Sequence, residues 1–428
     1  MLAMSQTAQS TGVDAEVLIV GAGPAGLALA CALGDAGLSV RVLEQNSLDA
    51  VRDPAPDGRD IALTHRARRV MEELGLWQQI APSDVAVLNQ ARVEDGGRAP
   101  VLRVPSEPTP GSPLGWLVPN YLIRRAAWQA VALRPSVQIE FDAPVRALSL
   151  QADQAGVTLA DGRRLSAHLV VAADSRFSQT RRQAGIGASM RDFGRTVVVG
   201  RVAHTLDNGG IAWECFQYGN TLALLPLNGR EVSAVVTIPT DRAPEWLALS
   251  DEAFAARVES HSKQRLGTLR SVGPRYQYPL VAVYAHRFAV DRLALIGDAA
   301  VGMHPVTAHG WNFGLYGVQV LARELRAARS AGRDIGAMAT LAGFEREHRR
   351  ATLPVYLGTN AVVSLFTDDR AAPRWARQAV LAIAEGLPPF NRMIKSAIEH
   401  QLVQSSVGFP WGLPAPPWRR RAPVQETR

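Results

Sequence analysis

The sequence has almost no lysine. Of its 428 residues, 46 are lysine or arginine, and the only lysines are Lys263 and Lys395. The formal charge of +7 therefore comes from arginines that are spread along the chain. A nucleic-acid-binding protein concentrates its positive charge on one surface, so we expect no nucleic-acid partner. The basic tail "PPWRRRAP", around residues 418–421, is typical of a disordered end or of a short contact with anionic lipid.

The sequence also has few cysteines and lacks the features of an N-terminal targeting peptide. The two cysteines, Cys31 and Cys215, form neither a CxxC motif nor a disulfide framework, which fits a reducing compartment. No lysine or arginine precedes Arg41, so the charged start of a secretory signal or transit peptide is lacking. With 47% hydrophobic residues, the chain can bury a large core. We expect a globular cytoplasmic protein of two or three packed domains, with an association to the inner face of the membrane left open.

No charged residue occurs between Val17 and Gly34, where the sequence reads "VLIVGAGPAGLALACALG". Four glycines and a proline interrupt this stretch, which argues against a membrane span. The pattern predicts a strand, a glycine-rich turn and a helix to about Asp35, followed by a second strand in "LSVRVLE". The sequence therefore predicts a βαβ unit.

The glycines of this unit have separate roles. Gly21 suits the tight turn, Gly23 lets the backbone approach a pyrophosphate, and Gly26 allows close packing of helix on strand. Glu44 closes the second strand about 20 positions later, where an acid that binds ribose hydroxyls is expected. The spacing predicts dinucleotide binding.

The remaining patterns predict further elements. In "DGRDIALTHRARRVMEELGLW", Arg59 precedes a predicted amphipathic helix whose apolar residues are Leu63, Val70, Leu74 and Leu76. A hairpin turn is predicted at Asp161-Gly162, before an apolar strand that ends on Asp174. "TVVVGRV", "TLALLPL" and "EVSAVVTI" predict a second domain built on a sheet, and the chain returns to an α/β pattern at "RLALIGDAA".

The segment Gly297–Leu315, "GDAAVGMHPVTAHGWNFGL", allows three interpretations. A metal site would use His304 and His309, but their spacing and the lack of a third ligand fit zinc poorly. A catalytic histidine has no evident partner, and a structural role is as plausible for each. A loop that folds around a cofactor accounts for more residues, since it also uses Asp298 and the glycines.

Three segments together resemble the flavin fingerprints of the class A FAD-dependent aromatic hydroxylases: the glycine-rich unit, the strand that ends at Asp174, and "LIGDAA…HP…G.N.G". "GRDIALT", "NYLIRRAAWQA", "GDAAVGMHP" and "FEREHRRATLPVYLGTNAVVSLFTDD" resemble in particular the ubiquinone-biosynthesis monooxygenase family. "GMHPVTAHG" looks most like its demethoxyubiquinol hydroxylase branch. The resemblance extends from about residue 15 to about residue 400.

The resemblance implies an FAD site and its residues. Asp298 would accept a hydrogen bond from a ribityl hydroxyl of FAD, and Pro305 would stiffen the loop beside the flavin ring. Residues 310–314 would begin a helix that faces the flavin. The cofactor-binding set it implies is Gly21, Gly23, Ala25, Gly26, Glu44, Gln45, Arg59, Asn120, Arg125, Asp174, Asp298, Gly310 and Asn312. Arg125 could equally be a solvated helix residue. Candidates near the reaction are Pro305, His304 and His309, and no metal is implied. The chain departs from the family at Ser175, where glycine is usual, and at His309, where glutamine is common.

The function implied is hydroxylation, through a C4a-hydroperoxyflavin, of a polyprenylated phenol or quinol in ubiquinone biosynthesis. FAD would be the cofactor, NAD(P)H or another donor would supply electrons, and O₂ would be a co-substrate. The alternatives are a hydroxylase of a soluble aromatic compound, and a flavoprotein reductase or non-catalytic flavin-binding partner. Association with the membrane or a biosynthetic complex is compatible with such a substrate.

The fold implied is α/β, with a Rossmann-like FAD-binding domain of the aromatic hydroxylase type, an inserted β-sheet substrate domain and a helical C-terminal region. We expect the FAD-binding domain at 14–190 and 286–345, with substrate-side segments at about 80–120. The substrate domain is expected at 191–285 and C-terminal helices at 346–410, with flexible tails at 1–13 and 411–428.

Overall fold

The computed structural model describes residues 12–96, 98–104, 112–217, 219–303 and 309–367. Its strands are β1 (Ala15–Val20), β2 (Val40–Leu43), β3 (Asp60–Leu63), β4 (Ala86–Leu88), β5 (Gln90–Asp95), β6 (Arg98–Val104), β7 (Gly115–Pro119), β8 (Val137–Glu140), β9 (Val145–Leu150), β10 (Ala155–Leu159), β11 (Arg164–Ala172), β12 (Ala188–His204), β13 (Ile211–Gln217), β14 (Asn220–Pro226), β15 (Glu231–Pro239), β16 (Leu269–Ala285), β17 (Ala289–Val290), β18 (Leu293–Leu295) and β19 (Val301–Gly302).

The helices are α1 (Pro24–Asp35), α2 (Leu48–Arg52), α3 (His65–Glu73), α4 (Asn120–Val131), α5 (Gln179–Gln183), α6 (Ala243–Leu247), α7 (Asp251–His261), α8 (His309–Ser330) and α9 (Met338–Thr367). Short 3₁₀ turns lie at Trp77–Gln79, Pro82–Asp84, Thr240–Arg242 and Gly297–Ala299. Among the described residues, no helix is both long enough and apolar enough to cross a membrane.

The first sheet has the order β17-β18-β11-β1-β2-β8, with β10 and β9 continuing from β11. Its central pairs, β18–β11, β11–β1, β1–β2 and β2–β8, are parallel. The βαβ unit predicted from the glycine spacing is confirmed as β1, α1 and β2. Helices α1, α4, α8 and α9 contribute buried residues to the large core around this sheet.

The second sheet has the order β19-β16-β12-β15-β14-β13-β5-β6. One face packs on α6 and α7, where Trp246 and Phe254 are buried against alternate residues of β14 and β15. The strands predicted from "TVVVGRV", "TLALLPL" and "EVSAVVTI" are β12, β14 and β15, which pair next to one another. The predicted α/β fold, with an added sheet and a helical C-terminal region, is confirmed, while the part of the predicted C-terminal helices beyond residue 367 lies outside the described residues.

Two local features refine the sequence predictions. The hairpin predicted at Asp161-Gly162 is present between β10 and β11. Leu63, however, was wrongly predicted to lie in a helix, because residues 60–63 pair with β7 as strand β3. Helix α3 begins only after Thr64, whose hydroxyl accepts the backbone N–H of Ala67 at 3.1 Å. That cap ends the strand and starts the helix.

Strands β5 and β6 join the second sheet from a distant part of the chain. Residues 90–95 of β5 run parallel to β13, with Val93 opposite Glu214. A small third sheet has the strand order β3-β7-β4. Helix α9 continues through residue 346, where the sequence analysis placed a domain boundary. The division into domains stays a proposal.

Candidate flavin and substrate site

The turn between β1 and α1 is shaped as a cradle for a phosphate group. Gly21 has a φ of 106°, and a Cβ there would lie 2.6 Å from the carbonyl oxygen of Ala173. A Cβ on Gly26 would lie 2.1 Å from the carbonyl oxygen of Gly21, so α1 packs on the turn without a side chain between them. A Cβ on Gly23 would meet no atom within 4 Å, and no side chain caps α1. The helix N-terminus is therefore open to an anionic ligand.

Glu44 lies at the end of β2 beside this cradle and is buried. Its Oε2 accepts the backbone N–H of Ala22 at 2.7 Å, and its Oε1 accepts the backbone N–H of Asn46 at 2.8 Å. Gln45, the next residue, is exposed. The carboxylate is thus held at the edge of the cradle, where a ribose hydroxyl can donate to its remaining lone pairs.

Arg59 and Asn120 meet at Asp57. The Asn120 side chain donates to Asp57 Oδ2 at 2.6 Å, and the Arg59 guanidinium lies 2.6 Å from the same oxygen. Tyr278, from the second sheet, donates its hydroxyl to the backbone oxygen of Asp57, and Arg59 lies over its ring at 5.2 Å. Burial raises the pKa of the Tyr278 hydroxyl. The structure brings these two predicted residues together, through an aspartate that sequence reasoning did not single out.

Arg125 lies on the same helix as Asn120 but is separate from this cluster. Its guanidinium pairs with Asp53 at 2.6 Å and lies 5.7 Å from the centre of the Tyr121 ring. Both charged side chains are well exposed. Arg125 is therefore placed at the rim, where it can approach an anionic group without a burial cost.

Asp174 follows β11 and organises the start of α5. It accepts the hydroxyl of Ser178 at 2.5 Å and the backbone N–H of Thr180 at 3.0 Å. The next residue, Ser175, has a φ of 81°, the left-handed conformation that favours glycine. The position where the family usually has glycine therefore keeps the corresponding turn, with serine in it.

Asp298 stands in the turn after β18, and Arg176 holds it. The Arg176 guanidinium lies 3.1 Å from Asp298 Oδ2 and donates to the backbone oxygen of Val281 at 3.1 Å. The Asp298 side chain remains 37% exposed, so it can still accept a ligand hydroxyl. Gly297 has a φ of 57°, and its Cβ would come within 3.1 Å of the Ala25 Cβ. The turn of Asp298 thus packs directly on the helix of the glycine cradle.

Arg181 connects the turn that contains Asp174 to the turn that contains Asp298. Its guanidinium donates to the backbone oxygens of Ala299 at 3.0 Å and of Arg176 at 3.2 Å. It is almost fully buried, and burial lowers the pKa of its guanidinium. The contacts fix the turn of Asp174 relative to the turn of Asp298.

The first turn of α8 is fastened to the third sheet. Asn312 donates to the backbone oxygen of Ala62 at 2.9 Å and accepts the backbone N–H of Thr64 at 3.0 Å. Gly314 lies close to Gly297, since a Cβ on Gly314 would be 3.8 Å from the Gly297 Cα. The side chain of Asn312 thus bonds within the protein. A ligand at the start of α8 would therefore contact the helix backbone near Gly310.

Three predicted residues cannot be placed. His304 and Pro305 lie outside the described residues. His309 begins α8, but its side chain is likewise outside the description. Groups of three His, Cys, Asp or Glu side chains that could hold a metal are not found in the part of the chain that is described.

The inner face of the second sheet, the side opposite α6 and α7, contacts the loop before β3. Arg201 of this face pairs with Asp60 at 2.9 Å, and Tyr278 contacts Asp57 as described above. Burial raises the pKa of Asp60 even though Arg201 opposes that shift. One row across the inner face consists of Val93, Glu214, Ala223, Val235, Val199 and Tyr276. On β14, Ala223 belongs to the inner face, while Leu222 and Leu224 point to the helices.

Sequence reasoning missed Asp57, Arg176 and Glu214. Asp57 and Arg176 lie within three residues of predicted positions, and only their contacts distinguish them. Glu214 offered a local indication, because it is the charged residue of the otherwise uncharged strand "IAWECFQ". A charge in the middle of a strand with two packed faces is unusual and points to a specific role.

The chain resembles characterised flavoproteins over most of its length. A model of the FAD binding domain family matches residues 14–340. Over 387 residues the chain is 43% identical to the ubiquinone hydroxylase UbiM of Neisseria meningitidis, covering 89% of this chain and 84% of that protein. It is 38% identical to the ubiquinone hydroxylase UbiL of Rhodospirillum rubrum, with coverages of 89% and 88%.

Solved structures agree with this fold. The p-nitrophenol 4-monooxygenase PnpA of Pseudomonas putida has a TM-score of 0.71 and 19% identity, covering 92% of this chain and 99% of that one. PqsL of Pseudomonas aeruginosa, described as a probable FAD-dependent monooxygenase, has a TM-score of 0.70 and 24% identity, with coverages of 86% and 99%. At these identities the two structures bear on the fold alone.

Proposed function

The chain belongs to the FAD-binding family of flavoprotein monooxygenases, and from this premise we propose that it hydroxylates the aromatic ring of a polyprenylated phenol or quinol in ubiquinone biosynthesis. The observation that carries the proposal is its similarity, over nearly nine tenths of the chain, to two ubiquinone hydroxylases. The described residues fit FAD, since the cradle at Gly23 is open and its helix is uncapped.

The residues have distinct tasks in this proposal. The glycine cradle binds the pyrophosphate, Glu44 accepts the hydroxyls of the adenosine ribose, and Asp298 accepts a ribityl hydroxyl. The backbone N–H groups at the start of α8 face the pyrimidine edge, where a positive helix end stabilises negative charge. Arg59, Asn120, Arg125 and Asp174 keep the surrounding loops in place.

FAD, once reduced by NAD(P)H, would activate O₂, from which one oxygen atom would enter the ring and the other would leave as water. The chain's own contribution is to hold the ring beside the flavin and to exclude water from the reacting atoms. The inner face suits both tasks, since Val199, Val235 and Ala223 offer an apolar wall. An apolar wall also suits a prenyl chain.

The alternative of a soluble aromatic acid is less well supported. Such a substrate needs a free arginine in the pocket to bind its carboxylate. On β12, Arg195 and Arg201 lie opposite inner-face residues of β15. Arg201 is paired with Asp60, and Arg195 donates to the backbone oxygen of Gly219 at 3.0 Å.

Deletion of the gene tests the function. In a strain that lacks any redundant ring hydroxylase, we expect ubiquinone to fall and an under-hydroxylated prenylated precursor to accumulate. A plasmid that carries the wild-type gene should restore ubiquinone. The Asp298→Ala variant, expressed in the deletion strain, should accumulate as a protein that purifies without FAD. It should fail to restore ubiquinone. Unaltered quinones in the deletion strain would refute the proposal.

We also propose that the protein associates peripherally with the inner face of the membrane, because a polyprenylated substrate partitions into lipid. Flotation of the purified holoenzyme with anionic phospholipid vesicles checks this association. Recovery of all the protein below the vesicles at low salt would speak against it.

A further inference from the structure

Glu214 is a carboxyl group inside an apolar row of the second sheet. It lies in the middle of β13, opposite Ala223 of β14 on one side and Val93 of β5 on the other. Val235 and Val199 continue the row on the next two strands. Neighbours on a pleated sheet lie about 5 Å apart, so Ala223 and Val93 flank the carboxyl directly, and Val235 and Val199 extend the same face on more distant strands.

The strand alternation places Glu214 on the inner face. Its neighbours Trp213 and Cys215 point to the other side, where they pack toward α6 and α7. The charged pair beside β13 lies on the same face as Cys215. Arg265 contacts Cys215 at 3.6 Å and pairs with Glu94 at 2.8 Å, both on the side away from Glu214.

Other ionisable groups of the inner face lie further away. Asp95 of β5 is beside Phe216, two residues along the strand from Glu214. Arg201 and its partner Asp60 belong to β12 and β3, several strands across the sheet. Tyr276 ends the row of Glu214 on β16. None of these groups neutralises the Glu214 carboxyl by direct contact.

The Glu214 side chain therefore has unused hydrogen-bonding capacity. The Glu214 carboxyl forms no hydrogen bond or ion pair to any described residue. Burial raises the pKa of its carboxyl to about 8, so at pH 7 the group mostly carries its proton. A protonated carboxyl donates one hydrogen bond and accepts others, as does a phenol hydroxyl. The two groups can satisfy each other inside an apolar wall, where an unpaired polar group is costly.

We propose that Glu214 is the residue that binds the ring hydroxyl of the aromatic substrate and so determines that the chain accepts phenols and quinols. This inference rests on the proposed function, because it concerns the same reaction. The prenyl chain packs on the apolar residues of the inner face, and Glu214 fixes the position of the oxygen-bearing edge of the ring.

The test compares two probes that differ in one hydroxyl group, 2-prenylphenol and prenylbenzene. Binding to the oxidised holoenzyme is followed by the change in flavin absorbance, so no turnover is needed. For the wild type we expect about tenfold tighter binding of the phenol, the effect of one hydrogen bond of about 1.4 kcal/mol. In Glu214→Leu the preference should fall to about one, with prenylbenzene affinity unchanged. A phenol preference that survives in Glu214→Leu overturns the inference.

A second readout is the pH dependence of 2-prenylphenol affinity, compared between the wild type and Glu214→Gln. This comparison keeps a polar group at position 214. Glutamine resembles the protonated carboxyl, so this variant should keep most of the preference at pH 7. Wild-type affinity for 2-prenylphenol should fall above about pH 8, because the ionised carboxylate cannot donate and is costly to desolvate. The Glu214→Gln affinity should stay constant between about pH 6 and 9, since the phenol itself ionises only near pH 10. A parallel fall in both proteins would refute the assignment.

The matched control is Glu231→Leu, the same substitution on the same face at the first residue of β15, opposite Ala203. It should retain the full preference for the phenol. A loss in this variant equal to that in Glu214→Leu would overturn the assignment to Glu214. A wild-type holoenzyme that retains FAD but binds neither probe would overturn the proposed function and this inference with it.

Discussion

Ser175 holds a backbone conformation that costs energy for any residue with a Cβ. Its φ is 81°, and the side chain is exposed. A non-glycine residue in the left-handed region costs about 1–2 kcal/mol. The turn is nevertheless needed, because the next residue, Arg176, reaches from it to Asp298 and Val281. The serine therefore keeps the geometry of the site at a cost in stability.

We expect Ser175→Gly to stabilise the holoprotein by up to about 1 kcal/mol, since relief of the strained φ exceeds the extra entropy of glycine in the unfolded chain. The midpoint of thermal unfolding measures the effect. Ser149→Gly, an exposed serine in the regular strand β9, serves as the control and should lower the midpoint. If both variants lower it equally, the turn at Ser175 is not strained.

Glu44→Ala should weaken FAD binding by about 5- to 150-fold. The substitution leaves the ribose hydroxyls and the N–H of Ala22 without their acceptor, which costs about 1–3 kcal/mol. Titration of the apoprotein with FAD, followed by flavin fluorescence, gives the dissociation constant. Glu73→Ala, an exposed carboxylate at the end of α3, is the matched control and should bind FAD as the wild type does. Equal constants for both variants would mean that Glu44 has no part in the site.

Helices α8 and α9 form a packed pair behind the cofactor turns. His348 of α9 is fully buried, and burial lowers the pKa of its imidazole to about 4, so the ring is neutral at pH 7. Gly317 of α8 makes room for it, since a Cβ there would lie 2.6 Å from the His348 Cε1. Phe288 and Phe344 pack around the same ring. This close packing gives α8 a fixed position, and its first turn can then be aimed at a ligand.

Asn312→Ala should loosen that first turn. It removes the hydrogen bonds to Ala62 and Thr64, and the unpaired buried groups should cost about 1–3 kcal/mol of stability. FAD affinity should fall as well, because the N-terminus of α8 is no longer fixed to β3. Thermal unfolding and FAD titration measure the two effects. Asn360→Ala, on α9, is the control, and equal behaviour of the two variants would show that the contact between α8 and β3 is unimportant.

Across the whole molecule, the loop before β3 joins helix α4 to the second sheet. Tyr278 reaches Asp57, and Arg201 reaches Asp60. A Cβ on Gly58 would lie 2.4 Å from the Tyr276 ring, so the loop backbone lies directly against the sheet. These contacts fix the position of the loop, with Arg59 and Asp57, against the inner face of the sheet.

The sequence by itself determined the local elements. The β1-α1-β2 unit follows from an apolar run, three spaced glycines and a second apolar run, all within about 30 residues. Strands β12, β14 and β15 follow from their strand-like apolar segments, and the β10–β11 hairpin follows from Asp161-Gly162. These features are set by backbone sterics and by the period of the side chains, which act over a few residues. The family, and with it the cofactor, follows from such segments in order.

Only the tertiary structure decided which distant residues meet. Leu63 belongs to a strand because β7 pairs with it, and no local pattern contains that partner. Arg176 and Asp298 are 122 residues apart, and Asn312 and Thr64 are 248 apart. Ala223 and Val93 lie beside Glu214 because β13 lies between β14 and β5. Such contacts depend on the order of strands in the sheets, and a sequence pattern that acts over a few residues cannot specify that order.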